Sequence, residues 1–157
     1  MLAGQGWRPT RLGRHRRQRE AAVDWQAWAR RFEAVDDLDS WVALFAAERA
    51  FRDPVTPWTS DIQGVAELTR SIFPDWTQRV DTIRGDDRWA VFEWTGRGTY
   101  KGPGAEGTPG VAVRMEGATI VEVDASGKVT RWRDYLDTNE SIQQIQAGLA
   151  APPPTST

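Results

Sequence analysis

The fold class is decided by the stretch GKVTRWRDYLD, which covers residues 127–137. Large apolar and polar side chains alternate along it, as in a strand with one buried face. Trp132, Asp134 and Leu136 fall on one face, and the arginines and the tyrosine fall on the other. A carboxylate between two large apolar neighbours is costly to bury unless it is paired or protonated. The stretch therefore predicts a strand and marks Asp134 as a candidate for chemistry, unless a neighbouring arginine simply pairs with it.

Three further strands are predicted before this one, near residues 76–83, 88–100 and 111–123, and the strand itself covers residues 128–136. Turn sequences rich in glycine, aspartate or serine separate the four, at residues 85–87, 102–110 and 124–127. Short connections of this kind join antiparallel neighbours. The second half of the domain is thus predicted to be an antiparallel sheet.

The first half of the domain is predicted to be mainly helical. Apolar residues recur at helical spacing over residues 21–35, from residue 38 to about 47, and over residues 61–72, with Asp37 or Asp39 as cap of the second helix. Residues 50–52 are predicted as a short strand, and residues 139–149 as a last helix capped by Thr138 or Asn139. Strands that follow helices exclude a doubly wound sheet. We expect an α+β fold in which a curved antiparallel sheet packs on three N-terminal helices and encloses a pocket.

Composition limits the domain organisation and the possible partners. Six of the 20 basic residues lie in residues 1–20, and the remainder has 14 basic and 21 acidic residues. We predict one domain over residues 21–149, between a disordered basic extension and a disordered proline-rich tail at residues 150–157. The acidic domain argues against specific nucleic-acid binding, and no stretch approaches the roughly 20 apolar residues of a membrane span. With no cysteine to indicate an oxidising compartment, a cytoplasmic location is the default.

Three segments resemble the nuclear transport factor 2-like superfamily, particularly its SnoaL-like polyketide cyclases, ketosteroid isomerases and limonene epoxide hydrolases. They are LDSWVALF (38–45) running on to FRDP (51–54), then WTGRGTYKG (94–102), then residues 127–137. The resemblance covers about residues 22–148. It implies a cone-shaped fold with an internal pocket, and it is much less specific for reaction, because this fold carries many chemistries and some members only bind.

Carboxylates are the candidate acid and base groups, because the only histidine, His15, lies in the basic extension. By the resemblance, Asp53 stands where the isomerases carry their general base. An aspartate before proline also commonly caps a turn, and both interpretations stay open. Asp134 matches the acid on the last strand of the epoxide hydrolases. Aromatic surroundings can raise the pKa of such a carboxyl toward neutrality.

A third catalytic candidate is Arg97, which alternation groups with Glu93 and Thr95 on one strand face. We align that face with the concave side of the sheet, where Arg97 would pair with Asp134 or Asp53 or stabilise an oxyanion, unless it is a solvated arginine at a strand end. The sequence departs from its relatives here. The Asp-Arg-Asp relay of the epoxide hydrolases and the oxyanion hole of the isomerases are both incomplete, with Ala29 and Thr119 near the isomerases' donor positions.

The tryptophans divide into core and pocket candidates. Trp25, Trp28 and Trp41 sit at helical spacing and are predicted to be core, whereas Trp58 and Trp132 are predicted to line the pocket. The expected substrate-binding residues are Trp58, Glu93, Thr95 and Trp132.

The leading functional hypothesis is an isomerase or cyclase that uses carboxylate acid/base catalysis on a small apolar polyketide-, steroid- or terpenoid-like substrate. The alternatives are an epoxide hydrolase with a rearranged relay and a non-catalytic binding or assembly module. No metal or organic cofactor is expected, because cysteine ligands and a glycine-rich nucleotide motif are missing. A homodimer through the open sheet face is expected.

Overall fold

The structure is a computed structural model that describes residues 22–34 and 37–151. The helices are α1 (Trp25–Glu33), α2 (Leu38–Val42), α3 (Ile62–Ile72) and α4 (Thr138–Ala150). The strands are β1 (Phe45–Arg52), β2 (Thr77–Gly85), β3 (Trp89–Tyr100), β4 (Val111–Val123) and β5 (Val129–Leu136).

The five strands form one mixed sheet in the order β1-β5-β4-β3-β2. Strands β2 to β5 pair antiparallel, as predicted, and β1 pairs parallel to β5, which the sequence did not indicate. The predicted α+β class is thereby confirmed. A parallel partner needs a long crossover, and α3 with the three strands that follow supplies one between β1 and β5.

The core lies between the sheet and helix α1. Trp28 stacks on Phe32 with ring centroids 5.8 Å apart, and both rings contact Phe92 of β3 and Trp132 of β5. These aromatic pairs add to the free energy gained by burying apolar surface. The predicted core positions of Trp25 and Trp28 are confirmed, since both are buried.

The main error in the predicted elements concerns the second helix. It was expected to run to about residue 47, but α2 ends at Val42 and residues 45–52 form β1. Short apolar runs do not distinguish helix from strand by periodicity. Here the segment forms a strand because it pairs with β5, with Phe45 opposite Val129 and Phe51 opposite Trp132.

Aspartates cap the helices, in one case at a position that the sequence analysis missed. Asp37 caps α2, one of the two predicted residues, by accepting from the Ser40 backbone N–H at 2.6 Å. Helix α4 is capped by Asp137 rather than by Thr138 or Asn139, since the Asp137 carboxylate accepts from two backbone N–H groups of the first turn.

The predicted basic extension lies outside the described residues, as do residues 152–157 of the predicted tail, while Ala150 ends α4. No helix among the described residues is long and apolar enough to span a membrane.

Candidate active site

A cavity of about 280 Å³ lies between the concave face of the sheet and helices α1 to α3. This volume is just below the range usual for small-molecule pockets, which begins at about 300 Å³. Its walls are mainly aromatic, formed by Phe32, Trp41, Phe51, Phe73, Trp76, Trp94 and Trp132. Met115 and Leu136 add apolar surface from β4 and β5. The cavity therefore suits a small, largely apolar molecule.

Asp134 reaches this cavity from β5, as predicted, and its carboxylate is held by two donors. The Trp132 indole Nε1–H, two residues earlier on the same face, donates to Asp134 Oδ1 at 2.7 Å. The Thr119 hydroxyl, directly opposite on β4, donates to the same oxygen. No described residue donates to Oδ2. One carboxyl oxygen is thus fixed, and the other is left for a ligand.

The pKa of Asp134 is raised from 3.8 to about 7, mainly because the carboxyl group is buried; the hydrogen bonds from Thr119 and Trp132 oppose this rise, and the negative charge of Asp53 adds to it. The residue as a whole keeps some exposure, yet its carboxyl group is enclosed by protein. Desolvation disfavours the charged form of the carboxyl group, and it is the largest cause of the raised pKa. The raised pKa agrees in direction with the effect that the sequence analysis expected from apolar and aromatic surroundings, and Asp134 is largely neutral below pH 7.

Asp53 lines the same cavity, at the end of β1. The parallel register pairs Arg52 with Arg133, and continuing it by one residue sets Asp53 beside Asp134, about 5 Å away between backbones. Asp53 Oδ1 also accepts from the backbone N–H groups of Val55 and Thr56, at 2.8 and 2.5 Å. The carboxylate therefore caps the turn at Pro54, as one interpretation of the sequence predicted, and it also lines the cavity; its role as a general base stays a prediction.

Arg97, Glu93 and Thr95 lie on the opposite face of the sheet, which corrects the predicted alignment. Phe92 and Trp94 point to the concave side instead and are almost completely buried. Because side chains alternate along a strand, a shift of one residue moves the whole set to the other face. The apolar alternation of Phe92 and Trp94 was the sequence signal that could have shown this.

On the outer face these three residues have other partners. Thr95 donates to Asp81 at 2.7 Å, and Glu93 accepts from Thr82 at 2.8 Å. Arg97 borders a shallow groove with Asp75 and Arg114. The sheet separates it from both cavity carboxylates, so the expected contact of Arg97 with Asp134 or Asp53 does not form.

The tryptophan assignments are partly corrected. Trp132 lines the cavity as predicted. Trp58 does not, because it is 39% exposed and stacks under the Arg131 guanidinium at 4.5 Å. Trp41, predicted to be core, is half-buried and lines the cavity. Trp94 is a site residue that the sequence analysis missed. Thr119, which the resemblance places near a donor position of the isomerases, donates to Asp134. The contact between Trp94 and Thr119 depends on a cross-strand register that one sequence does not reveal.

The described residues contain no group of three or more histidine, cysteine, aspartate or glutamate side chains arranged to hold a metal ion. The polar residues that line the cavity besides the two central carboxylates come from the helices and from β2. They are Glu33, Asp37, Thr69, Arg70, Thr77 and Gln78. The arrangement can offer a ligand one carboxylate as a base and one neutral carboxylic acid as a hydrogen-bond donor.

Comparison with known proteins identifies a family. The model of the SnoaL-like domain family matches residues 14–132, which include Asp53 and end just before Asp134. No curated protein sequence matches the chain.

Several solved structures share the fold. A protein of ketosteroid isomerase-like fold from Catenulispora acidiphila, solved with trimethylamine, is 17% identical with a TM-score of 0.64, covering 85% of this chain and 100% of that one. An LEH-like epoxide hydrolase of M. tuberculosis is 21% identical with a TM-score of 0.58, covering 81% and 90%. A phenazine biosynthesis-related protein of Pseudomonas aeruginosa is 18% identical with a TM-score of 0.60, covering 85% and 88%. Likeness at this level of identity establishes the fold.

Proposed function

Because the chain belongs to the SnoaL-like domain family, we propose that it is an acid/base enzyme of the isomerase or cyclase type, which acts on a small apolar carbonyl compound without a cofactor. The observation that carries the proposal is the pair of carboxyl groups at the aromatic cavity, one of them with a pKa raised to about 7. Two neighbouring carboxyl groups whose environments differ can divide the roles of base and acid.

In the proposed reaction Asp53 is the general base. Its carboxylate removes a proton from the carbon beside the substrate carbonyl, and the electron pair of that C–H bond forms the enolate. Asp134, protonated, donates a hydrogen bond from Oδ2 to the oxygen on which the negative charge develops. When the substrate is a β,γ-unsaturated ketone, the enolate is conjugated with the carbon–carbon double bond, and return of the proton to the far carbon of that double bond moves the double bond, completes an isomerisation and restores the Asp53 carboxylate. Attack of the enolate carbon on a second carbonyl of the same molecule would instead close a ring, and the alkoxide formed at that carbonyl would take the proton from Asp53, which restores its carboxylate.

The aromatic walls support this assignment of roles. They exclude water, which strengthens a hydrogen bond to the developing oxyanion, and they offer flat surfaces to an apolar ring. Arg97, the oxyanion partner expected from the sequence, lies on the other face, so the neutral Asp134 takes that role in the proposal. Since this role requires the protonated acid, activity should fall as the pH rises through about 7.

The test is carbon-bound proton exchange in D₂O with a panel of cyclic ketones and 1,3-diketones, followed by NMR. We expect deuterium to enter beside the carbonyl faster than in buffer. D53N should lower the rate by roughly 10²-fold or more, and D134N should lower it too. Asparagine at residue 53 keeps the oxygen that caps the turn, so a loss of rate would not reflect a broken loop. D81N, which changes an aspartate on the outer face, is the matched control and should exchange like wild type.

Two results would overturn the proposal. Diol formation from cyclic epoxides in H₂¹⁸O, without any ketone exchange, would establish the epoxide hydrolase alternative, in which Asp134 protonates the epoxide oxygen. Quenching of the cavity tryptophans by ketones, without turnover of either substrate class, would establish a binding module.

A further inference from the structure

A hydrogen-bond chain leads from the core of the sheet to Asp134. Trp94 Nε1 donates to Thr119 Oγ1 at 2.9 Å, Thr119 donates to Asp134 Oδ1, and Trp132 donates to the same oxygen. Thr119 has no exposed surface and Trp94 is 4% exposed. The chain crosses the three adjacent strands β3, β4 and β5, and each donor in it has an acceptor, so its geometry is well defined.

The chemistry of the groups fixes the direction of each bond in the chain. An indole N–H can only donate, so Thr119 Oγ1 must accept from Trp94, and its single hydrogen is left for Asp134. Trp132 also can only donate. Asp134 Oδ1 thus accepts two hydrogen bonds, and when Asp134 is neutral its own proton belongs on Oδ2.

The neighbouring backbone makes room for this arrangement. Gly117 lies opposite Trp94 on β4, and a Cβ atom there would meet Trp94 Cε2 at 2.8 Å. The indole ring therefore covers Gly117 and reaches Thr119, two residues further along the same face. Only glycine at residue 117 allows the ring to lie this close.

We propose that Thr119, oriented by Trp94, is a positioning residue that holds the proton of Asp134 on Oδ2, directed at the ligand. The proposal rests on the proposed function, in which Asp134 is the acid. It adds two residues that do not act on the substrate themselves but decide which oxygen of the acid can donate.

The test needs no substrate. The carboxyl carbon of Asp134 and the indole N–H groups of Trp94 and Trp132 are followed by NMR over a pH titration of wild type, T119V, T119S and T95V. In wild type both indole resonances should shift with the midpoint of Asp134, because both report on its charge. In T119V the Trp94 resonance should become independent of pH and the Trp132 resonance should not. The Asp134 midpoint should rise by roughly one pH unit, because a donor to the charged form is lost.

Two variants serve as controls. T119S keeps the hydroxyl and should restore the wild-type pattern. T95V removes another buried threonine that donates to an aspartate, Asp81 on the outer face, and should leave both indole titrations unchanged. If T119V does not fold, W94F replaces it, and a smaller rise in the Asp134 midpoint is expected because Thr119 loses its fixed orientation.

The proposal is wrong if the Asp134 midpoint is the same in T119V, or in W94F, as in wild type, or if the Trp94 resonance does not follow Asp134 in wild type. These outcomes do not decide whether the proposed function is correct. That function is judged by the wild-type Asp134 midpoint and by ketone exchange in D53N and D134N, neither of which depends on Thr119 variants.

Discussion

At the scale of single residues, burial of the Asp134 carboxyl group disfavours its ionised form, and the hydrogen bonds from Thr119 and Trp132 only partly offset this effect. Burial holds its carboxyl group neutral up to about pH 7, whereas in the unfolded chain it ionises near 3.8. The folded state therefore binds more protons than the unfolded state between these two values. By linkage, the contribution of Asp134 to stability is complete below the lower value and is lost as the pH rises to the upper one.

We predict that D134N changes the pH dependence of stability in a defined direction. Between 3.8 and about 7, wild type should lose roughly 1.4 kcal/mol of unfolding free energy per pH unit relative to D134N, because the variant has no group to ionise. Urea unfolding of both proteins at several pH values measures this difference. The lowered pKa values of Asp75, Asp81 and Asp124 act in the opposite direction but are common to both proteins. Parallel pH curves would contradict the buried, neutral Asp134.

At the scale of elements, helix α3 depends on one exposed side chain at its first turn. Asp61 Oδ1 accepts from the Gly64 backbone N–H at 2.9 Å, and the helix carries Val65, Ala66 and Thr69 to the cavity wall. A cap of this kind satisfies a backbone donor that the helix itself cannot pair.

We predict that D61A lowers the free energy of unfolding by about 1 kcal/mol and that D61N lowers it much less, because the amide oxygen also caps. Equilibrium denaturation of the three proteins in urea provides the measurement. An equal loss in both variants would mean that the negative charge near the helix N-terminus matters and the cap geometry does not.

At the scale of the whole molecule, the outer face of the sheet presents apolar and aromatic side chains without cover from any described element. Trp89, Ile120 and Tyr135 are 45%, 37% and 42% exposed, and the Arg133 guanidinium stacks on Tyr135 at 4.6 Å. This is the face through which the sequence analysis expects a homodimer. The expectation remains a proposal.

We predict that light scattering gives the mass of a dimer for wild type and that I120E shifts it toward the monomer, because a charge would be buried at the centre of the paired faces. L68E is the matched control. Leu68 is an apolar residue of similar size, 58% exposed on α3, and its variant should remain dimeric. A monomeric wild type, or an equal effect of both variants, would remove the sheet face as the interface.

The sequence by itself determined the fold class, the antiparallel strands β2 to β5 within about two residues, and Asp134 as a carboxyl group held between Trp132 and Leu136. These features depend on alternation, helical spacing and turn residues, which are local. Only the tertiary structure decided the rest. Because β1 pairs parallel to β5, residues 45–47, which were predicted as the end of a helix, belong to a strand, and Asp53 lies beside Asp134. The register of β3 and β4 placed Trp94 beside Thr119 at the site. Register and strand order come from contacts between residues far apart in the chain, and a single sequence carries no local trace of them.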